Sequence, residues 1–80
     1  MTVPPPHEYI PAGPLAIEPA GGFQPLAVHR AAFAAVLEGV ATGDYDQEVI
    51  AWLTHLDDTT CRVVTSLLWR CRQAPPLTEP

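Results

Sequence analysis

Asp44, Asp46 and Glu48 place three carboxylates within five residues, a spacing that could divide general-acid and general-base roles between neighbours. They sit where a helix is expected to begin, however, and the helix dipole accounts for acidic residues there. His7, His29, His55, Cys61 and Cys71 are the imidazole and thiol groups available to a metal. None falls in a CxxC or HxxxH spacing, so no metal site is expected. No serine or cysteine has the glycine-flanked elbow or neighbouring base of an activated nucleophile. Lysine is absent altogether, which removes Schiff-base and lysine general-base chemistry. A domain this small also has little room for a water-excluding pocket. The chain is therefore expected not to be an enzyme and to need no cofactor and no small-molecule substrate.

The groups that remain act by contact. Eighty residues make one domain at most, with a net charge of −5 that disfavours a nonspecific grip on nucleic acid or on an anionic membrane. All four basic residues are arginines, Arg30, Arg62, Arg70 and Arg72, and asparagine is absent too, a bias that fits GC-rich coding. No run approaches the roughly 20 apolar residues of a membrane span. The first residues, Met1 to Pro6, lack the basic and apolar regions of a signal peptide, so a cytoplasmic location is expected. Cys61 and Cys71 lie on one expected helix about 15 Å apart, too far for a disulfide within that helix. Both are read as reduced, at the core or its edge.

The elements that must position these groups follow from proline, glycine and apolar spacing. Residues 1–25 hold seven of the ten prolines and form an extended proline-rich arm. Tyr9, Ile10, Leu15, Ile17 and Phe23 are dispersed along it, so the arm is expected to lie on a groove of its own domain or of a partner, or to be a tail that tolerates them. Residues 26–74 are read as a compact all-α domain of three helices, and 75–80 as a disordered tail. The first helix runs from Leu26 to Ala41 with Leu26, Phe33, Val36, Leu37 and Val40 inward, and Gly43 as its left-handed terminus. The second starts at Asp44 with Gln47 completing a capping box, and turns Tyr45, Val49, Ile50, Trp52, Leu53 and Leu56 to the core. The third spans Asp58 to Gln73, capped by Asp57 or Asp58. Its inward arc is Val63, Val64, Leu67, Leu68 and Cys71, with Cys61 at the edge.

That arc leaves Trp69 facing away from the core beside Arg62, Ser66 and Gln73. A tryptophan next to an arginine on a surface has the composition of a binding hot spot. Cover by the arm or by the first helix would make the same residue ordinary core. The expected function is a non-enzymatic helical protein–protein interaction or assembly module, with self-association or a protein partner. Arg62, Ser66, Trp69 and Gln73 form its surface, and Tyr9, Ile10, Leu15 and Ile17 a second contact. The alternative is a small helix-turn-helix transcriptional regulator built on Gln47 to Ser66. Asp57-Asp58-Thr59-Thr60 weakens it, because the DNA-reading helix would open with two carboxylates toward phosphate.

The run Gly43-Asp44-Tyr45-Asp46, Val49 to Leu53, Leu56 to Thr60 and Ser66 to Arg72 resembles a set of small actinobacterial and actinophage proteins. These share an aspartate-led helix, a Trp-Leu pair, an Asp-Thr cap and a Ser-Leu ending with spaced arginines. The likeness covers about residues 33–73. It implies the helical layout and a GC-rich origin, and it supplies no activity.

Overall fold

A computed structural model describes residues 4–20 and 23–75. The expected tail beyond Pro75 and the arm positions Met1 to Val3 and Gly21-Gly22 lie outside the described residues. The fold is all-α, with α1 at Leu26–Val36, α2 at Asp44–Leu53 and α3 at Asp58–Gln73. Among the described residues there is no strand, and no helix is long and apolar enough to cross a membrane.

Pro25 is the N-cap of α1, where its missing N–H costs nothing, and its carbonyl accepts from Val28 N at 2.9 Å. The helix ends at Val36, earlier than the expected Ala41, because Gly39 takes a left-handed φ of 82°. Arg72 at the far end of α3 donates to the Val36 and Glu38 carbonyls at 3.2 and 2.9 Å, placing a cation on the negative end of the α1 dipole. Only half of the expected capping box of α2 forms, one residue early, because the N-cap is a glycine without a side chain. Gly43 is the N-cap, and its N–H donates to Asp46 Oδ2 at 2.9 Å, while Gln47 instead donates to Thr42 Oγ1 at 2.6 Å. Asp57 caps α3, accepting from Thr60 N at 3.0 Å and Thr60 Oγ1 at 2.7 Å.

The core is built from Tyr9, Ile10, Ala32, Phe33, Val36 and Cys61, with Trp69, Leu53, Leu56, Val64 and Leu68 packed on it. The main helix–helix contact is α1 against α3. Two orientations depart from the amphipathic reading. In α3 the buried residues are Cys61, Thr65 and Ser66, while Leu67 is 49 % exposed and Cys71 is exposed. The small side chains of Ala32, Cys61, Thr65 and Ser66 let the two helices approach closely. Thr65 satisfies its own hydroxyl by donating to the Cys61 carbonyl at 2.8 Å, so its burial leaves no unpaired donor. In α2 no residue is buried, and Tyr45, Val49 and Trp52, all expected inward, are 77, 41 and 62 % exposed.

Candidate interaction surface

The arm covers part of the α3 side expected to face outward, while Val64 and Leu68 stay packed on the core as expected. Tyr9 and Ile10 are each 3 % exposed and belong to the core, which removes them from any contact with a partner. The Tyr9 hydroxyl donates to the Asp58 carbonyl at 3.0 Å, and the Arg62 guanidinium lies 4.9 Å above the Tyr9 ring. Arg62 also donates to the Ala20 carbonyl, and Thr59 Oγ1 to Glu18 at 3.0 Å. Gly13 has a φ of 63° and lies against Arg70, so a Cβ there would come within 2.6 Å of Arg70 Nε. Ser66 is fully buried, and Arg62 and Trp69 are half-buried. Of the eight residues expected to form a partner surface, only Ile17 and Gln73 are exposed, and Leu15 is half-buried. The physical reason is cover: the arm supplies an aromatic ring, the Ala20 carbonyl and the Glu18 carboxylate to a helix face whose polar groups need partners.

Beneath the arm lies a cluster of ionisable groups from α1 and α3. His29 is 5 % exposed, with Nδ1 2.9 Å from the Thr54 carbonyl and Nε2 3.2 Å from Asp58 Oδ1. Asp58 Oδ2 is 3.6 Å from Arg62 Nε, and the Tyr9 and His29 rings stack tilted at 5.2 Å. Both imidazole nitrogens are engaged by oxygens of the fold. The cluster acts as a staple joining the arm, α1, the end of α2 and the start of α3. Among the described residues no three His, Cys, Asp or Glu side chains are grouped to hold a metal ion.

The staple sets how stability changes with pH. Burial, then the Asp58 carboxylate, pushes the Tyr9 phenol up from its ordinary 10.0, and burial likewise raises the Cys61 thiol above 9.0. Folding therefore favours both protonated forms. Their contribution is whole below the pKa values of the unfolded chain and is lost as pH rises through the higher folded values. Asp57 has the opposite sign: its hydrogen bonds from Thr60 hold its carboxyl below 3.8, so its contribution is present above that value and lost in acid. Denaturant midpoints measured across pH should fall above about pH 9. Tyr9→Phe should flatten the alkaline fall, and an unchanged alkaline slope in that variant would refute the assignment.

Ile17 and Phe23 of the arm are exposed, and a further set of exposed apolar side chains lies on α2. Tyr45, Val49 and Trp52 recur at the spacing of one helical stripe, and the stripe borders the open side of α2. Between α2 and the α1/α3 pair runs an open cleft of about 450 Å³, lined by Phe33, Leu37, Val40, Tyr45, Val49, Leu53 and Leu68. A smaller cleft of about 320 Å³ flanks the other side of α2, with Arg30, Ala34, Gln47 and Ile50 on its walls. With a cleft on each side, α2 rests on the body through Ile50 and Leu53. Its ten residues are too few to be stable as an isolated helix, so its order depends on what it packs against. Periodicity groups Tyr45, Val49 and Trp52 correctly on one face, but nothing in it says that this face stays uncovered.

Comparison with protein-family models, with curated proteins and with solved structures gives no match.

Proposed function

We propose that this chain is a non-enzymatic helical protein–protein interaction module whose working surface is the open apolar face of α2 and the adjoining outward side of α3. The observation that carries this reading is that α2 buries no residue while it exposes Tyr45, Val49 and Trp52. An amphipathic helix normally places its apolar stripe against its own domain. Contiguous exposed apolar side chains of this size mark contact surfaces, and tryptophan and tyrosine are the residue types that dominate binding energy there. Leu67 and Cys71 extend apolar character along α3. A cytoplasmic location is part of the same proposal.

The geometry speaks for a protein partner over the helix-turn-helix alternative. The first turn of α3 carries Asp57 and Asp58 and is occupied by Tyr9 and Glu18 of the arm. A helix that reads a DNA groove presents this end to the nucleic acid.

The test compares the wild-type chain with Trp52→Ser and Val49→Glu by sedimentation equilibrium and by retention of proteins from a cell extract. Both variants are expected to keep the wild-type circular dichroism and to lose the self-associated species or the retained protein. A wild-type chain that is monomeric at every concentration and retains nothing that the variants do not would refute the reading.

A further inference from the structure

We infer that the cleft between α2 and the α1/α3 pair receives an amphipathic helix of another protein that carries lysine or arginine on its polar side. This inference names the occupant of the surface proposed above and rests on that proposal. The ten residues of α2 run about 15 Å. That length matches about three turns of a partner helix, which anchors at positions i, i+3 or i+4, and i+7. Leu37, Leu53 and Leu68 give the cleft an apolar interior, with Val40, Tyr45 and Val49 along its opening.

Charge decides against a second copy of this chain. Residues 44–53 hold Asp44, Asp46 and Glu48 and no cation, Asp46 itself lines the cleft, and Glu38 follows the end of α1. The lining of this cleft holds no cation with which to answer them. Arg62 is held by Asp58, the Tyr9 ring and the Ala20 carbonyl. Arg70 donates to the Ser66 carbonyl, and Arg72 to the Val36 and Glu38 carbonyls. Among the described residues Arg30 is the one guanidinium without a side-chain hydrogen bond, and it lines the adjoining cleft between α1 and α2 rather than this one. Pairing two copies through this face would therefore set carboxylates against carboxylates, whereas a cationic helix neutralises them as its apolar side fills the cleft.

The experiment titrates the full chain with two designed helical peptides that share one leucine stripe, one with a lysine-rich and one with a glutamate-rich polar side. Calorimetry gives the affinities, and amide chemical shifts around Val49 and Leu68 locate the contact. The lysine peptide should bind about tenfold more tightly, the combined effect of three exposed ion pairs, and should weaken as salt is added. Asp46→Asn with Glu48→Gln should remove most of that preference, and Val49→Glu should abolish binding while circular dichroism shows the fold retained.

Equal affinities for the two peptides would overturn the inference and leave the interaction surface standing. Failure of both peptides, with a Val49-sensitive dimer of the chain, would overturn it in favour of a second copy. Failure of both with a strictly monomeric, non-retaining chain would remove the inference and the surface together.

Discussion

Deleting residues 1–20 is expected to abolish the cooperative unfolding transition of this domain. A proline-rich segment without helix or strand would ordinarily be dispensable. Here it carries Tyr9 and Ile10, each 3 % exposed, into the centre of the core. Truncating a buried isoleucine to alanine costs about 2–5 kcal/mol, and a buried aromatic about 3–5 kcal/mol. A domain of this size has stability near the low end of the usual range of about 5–15 kcal/mol, so losing both side chains exhausts it. The deletion also strips the staple of the Tyr9 hydroxyl and the Ala20 carbonyl, leaving Arg62 and Asp58 at a newly opened face.

The measurement is thermal unfolding followed by near-ultraviolet circular dichroism, with Tyr9→Ala and Tyr9→Phe as graded steps. Tyr9→Phe keeps the ring and loses one hydrogen bond, for a cost of about 1 kcal/mol. A truncated chain that melts at the wild-type temperature with an equal slope would show that the segment is not part of the core.

The two tryptophans should differ just as sharply. Trp69 is half-buried against the core cluster, and Trp69→Ala is expected to destabilise the fold by about 3 kcal/mol. At about 4–8 °C per kcal/mol for a domain of this length, the melting temperature should drop by more than about 10 °C. Trp52 is 62 % exposed on α2, and Trp52→Ala should stay within about 0.5 kcal/mol of wild type. Acrylamide should quench the emission of the Trp69→Phe variant, which retains Trp52, far more steeply than that of Trp52→Phe. Equal quenching and equal stability losses would mean that α2 packs its tryptophan inward and that the open surface does not exist.

Much of this fold was legible along the chain. Pro25 and Asp57 mark the starts of α1 and α3 because one supplies a preset φ and the other a carboxylate for orphan amides. The end of α3 at Gln73, just before Pro75-Pro76, follows from the same local rules. The local rules erred where two glycines competed. Gly39 and Gly43 were both able to end α1, and the nearer one does, aided by Arg72 reaching across from α3 to cap the exposed carbonyls. No local pattern contains that long-range contact.

Sequence by itself determined that there are three helices, where two of them begin, and which side chains share a face on each. Those properties depend on backbone geometry and on neighbours within a turn or two. Only the tertiary structure decided which parts of α2 and α3 are covered. On α3 the more polar side is covered, because the arm brings Tyr9 to meet Arg62 and Asp58, and small residues there admit α1 at close range. On α2 the apolar stripe is left open, because the core is already filled by Tyr9, Ile10, Phe33 and Val36, with Trp69 packed against them. Burial is a property of what is available to cover a face, and that is settled by segments distant in the chain.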